Sequence, residues 1–216
     1  MFNDIIKQIN VKSENRSRCH AFISAIISHN LWFNEFNIYL GHILTGKSVV
    51  EVNELSDSEN ILQAQTPTRA RQISRILGHR VEALPNNIKE LYDQLDINNK
   101  KIVDFISIML CSKLISEFMY ETYRDELILG DTRLEDSEIQ AFITRKQEES
   151  EQVAGWTDQT THRLKAALKT FLRDTGLVRN EKNGISDSVT PVFLDDQLVE
   201  AMQDGGLEQE LSSLRG

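Results

Sequence analysis

Apolar residues recur at helical spacing along most of this chain. Between residues 31 and 45, Trp32, Phe33, Phe36, Leu40, Ile43 and Leu44 share one side of a helix, and Gly46 ends it. Ser48 with Glu51 three residues on forms a capping box that starts a short helix, VVEVNEL. Another short helix is expected near Glu59 to Ala64. Thr66 as cap and Pro67 at the first helical position open the next one. That helix buries Ala70, Ile73, Ile76, Leu77, Val81 and Leu84. Its opposite face holds Thr68, Arg71, Arg75 and Gly78, with Gln72 and His79 beside them, and Arg69 and Arg80 project nearer the core edge. Pro85-Asn86-Asn87 is a break. Residues 87–96 and 98–128 then read as two helices, the second long and buried at its start, ended by Gly130-Asp131. Residues 102–120 are apolar on nearly every side, but Asp104, Lys113 and Glu117 interrupt them. No uncharged run approaches the about 20 residues a bilayer requires, so a buried central helix and no membrane partner are expected.

The last third changes rhythm. Ser137 with Gln140 marks a helix start, with Ile139, Phe142 and Ile143 as its apolar stripe. Gly155 breaks the pattern, and Thr157 caps a second helix that buries Leu164, Ala167, Leu168, Phe171 and Leu172. Gly176 stands where a C-cap belongs, and Asn183-Gly184 makes a tight turn between two short extended runs. Helix, turn, helix, hairpin is the order of a winged helix-turn-helix. A short helix, Asp195 to Gln203, is expected to follow, with fraying at Gly205-Gly206. The expected fold is therefore mainly α, with two helix-turn-helix-like domains, the C-terminal one winged by a small β-hairpin. The boundaries are an N-terminal helical domain over 1–85, central buried helices over 86–130, and the winged module with an acidic tail over 131–216. The first 30 residues, with AFISAII after Arg16 and Arg18, show no clear element.

Charge sharpens this picture. The 216-residue chain has a formal net charge of −9, which argues against indiscriminate coating of nucleic acid and favours local basic patches. Residues 157–182 reverse the background, with six Lys/Arg against three Asp/Glu. At about 100° per residue, the outward face of the 158–173 helix carries Gln159, His162, Ala166, Lys169, Thr170 and Arg173, flanked by Arg163 and Lys165. Arg179 and Lys182 extend the basic surface into the wing. Short, polar and positive side chains suit phosphates and base edges. Lys169 and Arg163 lie off the apolar stripe, so their replacement is expected to leave folding intact. The 67–82 helix offers a second candidate contact through Thr68, Arg71, Gln72, Arg75 and His79. Conversely, residues 117–151 hold eleven acids against four bases, a surface that faces solvent or a protein and repels phosphate.

Chemistry for catalysis is not evident. Gly46-Lys47-Ser48 lacks the upstream glycine of a phosphate loop. Cys19-His20 has the wrong spacing for zinc, and Cys111 reads as a small core residue. Glu117 and Glu121 share a face, but no Glu-x-x-His partners exist for a carboxylate-bridged metal pair. No catalytic residue, metal or cofactor is expected. The two cysteines fit a reducing cytosol, and no basic-then-apolar leader follows Met1, so a cytoplasmic location is expected.

The run from Tyr123 to Phe193 resembles a known family. Its carriers are YRDELILGDTRLEDSEIQAFITRKQEES, WTDQTTHRLKAALKTFLRDTGLV and PVFLDDQL, with Leu129-Gly130-Asp131 and Trp156 the most specific. Thr66-Pro67-Thr68-Arg69-Ala70-Arg71-Gln72-Ile73 keeps part of that family's N-terminal pattern. The chain is similar, over residues 31–200, to BrxA, the small helical component of BREX bacteriophage-exclusion systems. The resemblance implies a non-enzymatic cytoplasmic protein with helix-turn-helix character that binds double-stranded DNA. It also implies partners among the methyltransferase, ATPase and phosphatase-like proteins of such systems. A likeness of the family to the antitermination factor NusB makes RNA binding the alternative. The acidic surface keeps a third reading open, that of a protein adaptor.

Overall fold

Caps and breaks readable in the sequence start most helices of the N-terminal half. The computed structural model of the chain describes residues 31–130, 133–181 and 186–216. Helix α1 spans Phe33–Leu44 and buries Phe36, Tyr39 and Leu40. Helix α2 spans Val49–Glu59 behind the Ser48/Glu51 capping box, in which the Glu51 carboxylate accepts from the Ser48 N–H at 2.7 Å. Helix α3 spans Pro67–Ala83, with Thr66 Oγ1 accepting from the Arg69 N–H at 3.2 Å. The short helix expected near Glu59–Ala64 does not form. Instead α2 runs through Glu59, Asn60 turns left-handed, and its side chain both donates to and accepts from the Ala64 backbone at 2.9 Å. A self-bonding Asn of this kind favours a turn over a new helix.

Packing of α2 on α3 corrects one face assignment. Tyr39 Oη donates to Asn53 Oδ1 at 3.1 Å, and Ser74 Oγ donates to the same oxygen. Gly78 is buried in this contact, not on the outer face. A Cβ there would lie 2.9 Å from Tyr39 Oη and 3.0 Å from Val49 Cγ1, so only glycine permits the approach.

The central helices are shorter than their apolar run suggests. Helix α4 spans Asn86–Leu91, a 3-10 turn covers Tyr92–Gln94, and α5 spans Ile97–Cys111. Asp96 caps α5, accepting from the Asn98 and Asn99 N–H groups at 2.8 Å. The long helix expected over 98–128 breaks at Ser112, which takes extended torsions, φ −134° and ψ 105°. Its Oγ caps α6, Lys113–Phe118, by accepting from the Ile115 N–H at 3.4 Å. A π-helical turn, Met119–Tyr123, leads into α7, Arg124–Leu129, which ends at a left-handed Gly130. Among the described residues no helix is long and apolar enough to cross a membrane.

The C-terminal part adds a small sheet. Strand β1, Arg133–Glu135, precedes α8, Asp136–Glu149. The capping box of α8 is Glu135 with Glu138, not Ser137 with Gln140. A one-turn helix α9, Glu151–Ala154, precedes α10, Asp158–Asp174. Thr157 Oγ1 caps α10 by accepting from the Thr160 N–H at 3.3 Å, and Gly176 at φ 77° takes the left-handed step past its end. Strands β2, Val178–Asn180, and β3, Ser186–Val189, complete an antiparallel sheet of order β1-β3-β2. The sequence reading foresaw β2 and β3 but missed β1 and α9. The Asn183-Gly184 turn, Lys182, Asp131 and the calls on residues 1–30 lie outside the described residues.

The tail does not fray at Gly205-Gly206. Helix α11, Asp196–Asp204, packs on α4, where Asn87 Nδ2 donates to the Ala201 carbonyl at 2.8 Å. Helix α12, Glu208–Arg215, folds back on the π turn and α7, burying Leu211 and Leu214. One continuous apolar core runs from Leu31 to Leu214, and the architecture is mainly α.

Candidate nucleic-acid interface

Apart from Gly78, the outer face of α3 holds the residues expected there. Ala70, Ile73, Ile76, Leu77 and Val81 turn inward, which leaves Thr68, Arg71, Gln72, Arg75 and His79 exposed on the other side. Arg71 is lightly tied to Asp57 at 3.1 Å, with both side chains about half exposed. His79 Nδ1 lies 3.8 Å from Glu82, and Gln72 Oε1 accepts from Arg69 at 2.8 Å. Arg75 has no ion-pair partner among the described residues. Arg80 is not part of this surface. It is 3 % exposed and pairs with the fully buried Asp104.

Helix α10 divides into two halves with different environments. In the first half Gln159, His162 and Arg163 are exposed, beside the helix N-terminus whose dipole favours anions. In the second half the cations are held from within. Arg173 makes a two-pronged contact with Asp187 at 2.8–3.0 Å, and that carboxylate is fully buried. Lys169 is 12 % exposed, pairs with Asp136 and lies 3.8 Å from Asp187. Lys165 is 3.8 Å from Asp136. The helical wheel places Lys169 and Arg173 outward because it knows only the Leu164–Leu168 stripe. In the fold, β3 and the start of α8 cover that flank as well. These three cations are therefore anchors of the helix, and the expectation that Lys169 is a dispensable surface position is corrected.

The sheet supplies a residue that the sequence reading missed. In the register, Arg133 of β1 and Arg179 of β2 both stand opposite Ser188 of the central strand β3. Residues directly opposite one another share a face, so the two exposed arginines flank one serine. With strands about 4.8 Å apart, their backbones lie about 10 Å apart. Arg133 escaped notice because a three-residue strand before a helix carries no periodicity of its own.

Three acids of the acidic stretch are held by its own cations. Lys146, 8 % exposed at its side chain, meets Glu117, Glu121 and Glu149 at 2.9–3.1 Å, and Arg145 meets Glu121 at 2.9 Å. Burial pushes the Glu121 carboxyl up, but bonds from Lys146 and Arg145 outweigh it and hold it below the usual range. Glu117 and Glu121 thus serve a buried lysine. Among the described residues no group of three or more His, Cys, Asp or Glu is placed to hold a metal ion. Cys111 is buried, with its thiol 3.7 Å from the His79 carbonyl.

Fold and surface together define a mainly helical protein that presents exposed polar and cationic faces on two helices and on a small sheet. The chain belongs to the BrxA family, whose profile matches residues 20–206. It is 32 % identical over 159 residues to the BREX protein BrxA of Bacillus cereus, covering 74 % of this chain and 80 % of the relative. It also shares its fold with an uncharacterized protein from Magnetospirillum magneticum, with a TM-score of 0.73, 16 % identity, and coverage of 88 % of this chain and 96 % of that one.

Proposed function

We propose that this chain is a double-stranded-DNA-binding component of a BREX phage-defence system, acting in the cytoplasm without catalysis of its own. The observation that carries the reading is the repeated arrangement of α2–α3 and α8–α10. In each, the second helix of a packed pair turns a polar, cationic face to solvent, on a body of net charge −9. The order β1-α8-α9-α10-β2-β3 supports reading this part as a winged helix-turn-helix, and the N-terminal residues of the second helix of such a module are the ones that reach base edges. Gln159, His162 and Arg163 occupy that place. Arg179 and Arg133 stand on the sheet beside it as phosphate contacts, and Thr68, Arg71, Gln72, Arg75 and His79 form the second contact on α3. On this division Lys165, Lys169 and Arg173 orient α10 and do not reach the duplex. The relative's printed name places it in BREX, so the methyltransferase, ATPase and phosphatase-like proteins of that system are the proposed protein partners. The exposed Leu129 and Phe193, 77 % and 85 % accessible, supply apolar surface for them.

A competition experiment tests the reading. Labelled duplex bound to the protein is challenged with unlabelled duplex, single-stranded DNA and RNA. Displacement by duplex well ahead of the single strands is expected. Preferential displacement by RNA would favour a NusB-like role, since RNA is read mostly in single-stranded form. Absence of binding to any of the three would leave the adaptor reading.

A further inference from the structure

Two cations that belong to neither candidate helix face are laid on neighbouring aromatic rings. The Arg69 guanidinium lies 5.0 Å from the Trp32 ring centre, and Lys101 Nζ lies 5.9 Å from that of Phe33. Trp32 and Phe33 are adjacent in the chain, so both cation–ring pairs lie at the start of α1. Neither cation has a carboxylate within ion-pair distance among the described residues. Trp32 holds its backbone at φ 56°, ψ 41°, a left-handed conformation that costs a bulky residue about 1–2 kcal/mol. Strain of this sort persists where the surroundings over-determine it, and such places cluster at binding sites.

The position of these pairs matters more than their composition. Arg69 lies one turn before the exposed stretch of α3 and bonds to Gln72 of that face. Lys101 lies one turn before Phe105 on α5, and Phe105 packs on Phe171 of α10 with ring centres 6.1 Å apart. Asp174, three residues beyond Phe171, is exposed; partial burial pushes its carboxyl up and the charge of Lys101 opposes that push. On α10, Asp174 shares a stripe with Gln159, Arg163 and Thr170 at helical spacing. Arg69 thus borders the outer face of α3, and Lys101 stands one turn from the residue that packs on α10, whose exposed stripe carries Asp174.

We propose that Arg69 and Lys101 are phosphate-contacting residues that join the α3 and α10 faces into one track for a single DNA duplex, with Asp174 as a carboxylate that opposes the phosphates along it. The inference rests on the duplex-binding reading above. Stacking on the rings keeps each cation extended and lowers the entropy lost on meeting a phosphate. The aromatic bodies also exclude water from one side of each charge, which strengthens the contact.

The test uses the full chain and a duplex of about two helical turns, about 21 base pairs, with binding followed by fluorescence anisotropy across a salt series. Lys101→Gln and Arg69→Gln should each make the log–log salt slope shallower by about 0.9. Asp174→Asn should tighten binding at low salt by up to about fivefold, the effect of one charge about 4 Å away in water. That gain cannot come from a misfolded protein, and circular dichroism checks the two loss variants. At saturation one duplex per chain is expected. If the wild type fails to bind duplex, the functional reading fails and this inference with it. If the wild type binds, but all three variants match it or more than one duplex occupies each chain, the reading stands and the joined track is wrong.

Discussion

At the scale of single residues, several charges are buried among the described residues, Arg80, Asp104, Lys146 and Asp187 among them. Arg80 makes four hydrogen bonds within the core. Its Nε donates to Ser107 Oγ at 3.0 Å, Nη1 to the Leu31 carbonyl at 3.0 Å, and Nη2 to the Asp104 carbonyl at 2.8 Å and to its carboxylate. Burial, with a smaller push from Glu35, raises the Asp104 carboxyl to about 7, although Arg80 opposes that push. Removing the guanidinium strands an acid where no water can solvate it. Arg80→Ala should cost about 3–5 kcal/mol in urea unfolding, and a loss below about 1 kcal/mol would contradict the packing described. The Lys146 cluster carries a pH signature. Glu121 titrates lower in the folded chain than its free value of about 4.3, so its contribution is present above that value and disappears as pH falls through the folded one. The melting temperature should drop less between about pH 6 and pH 3.5 in Glu121→Gln than in the wild type. Parallel curves would show that the pair network contributes nothing. Local signals announced Cys111 and the capping residues Ser48, Thr66 and Thr157. No local signal announces that Arg173 finds Asp187 or that Lys169 finds Asp136, because those pairs are made by tertiary folding across intervening elements.

At the scale of elements, α3 and α10 differ in how they are supported. Helix α3 is set by a close approach at Gly78, and Gly78→Ala forces Tyr39 or Val49 aside. Overpacking of this kind costs about 1–3 kcal/mol, against a gain of about 1 kcal/mol in helix propensity. A net loss of thermal stability is expected, and a stabilised variant would refute the geometry. Helix α10 is set by its counter-ions. Lys169→Glu would crowd a third carboxylate between Asp136 and Asp187, so it should destabilise the fold by more than about 1 kcal/mol. Arg163→Glu, on the exposed stripe, should stay within about 0.5 kcal/mol. Equal effects in chemical denaturation would return Lys169 to the surface. The elements themselves were readable where a cap, a proline or a glycine marked an end. The break at Ser112 was not, because a serine within an apolar run is equally at home inside a helix. Strand β1 was too short to show alternation, and α12 followed a Gly-Gly pair that mimics a frayed end.

At the scale of the whole molecule the net charge of −9 is not spread evenly over the surface. Glu117, Glu121 and Glu149 are drawn onto Lys146 and Arg145, and Asp136 and Asp187 onto Lys165, Lys169 and Arg173. Among the described residues, exposed cations stand on the first half of α10, on the Arg133–Ser188–Arg179 row and on the outer face of α3, beside which Arg69 lies. The sequence indicated the α3 and α10 faces and, through Arg179, the wing, but it missed Arg133 and placed Lys169 and Arg173 outward because a helical wheel cannot see an acid on a neighbouring strand. The central claim is that these faces hold duplex DNA through its phosphates. The most direct measurement is the salt dependence of duplex affinity for the wild type and for the Arg75→Glu, Arg163→Glu double variant, whose sites are exposed and free of ion pairs among the described residues. Affinity of the wild type should fall steeply as salt rises, and the double variant should bind more weakly with a log–log slope shallower by about two units. Wild-type affinity that is indifferent to salt, or a well-folded double variant that binds as the wild type does, would contradict the account.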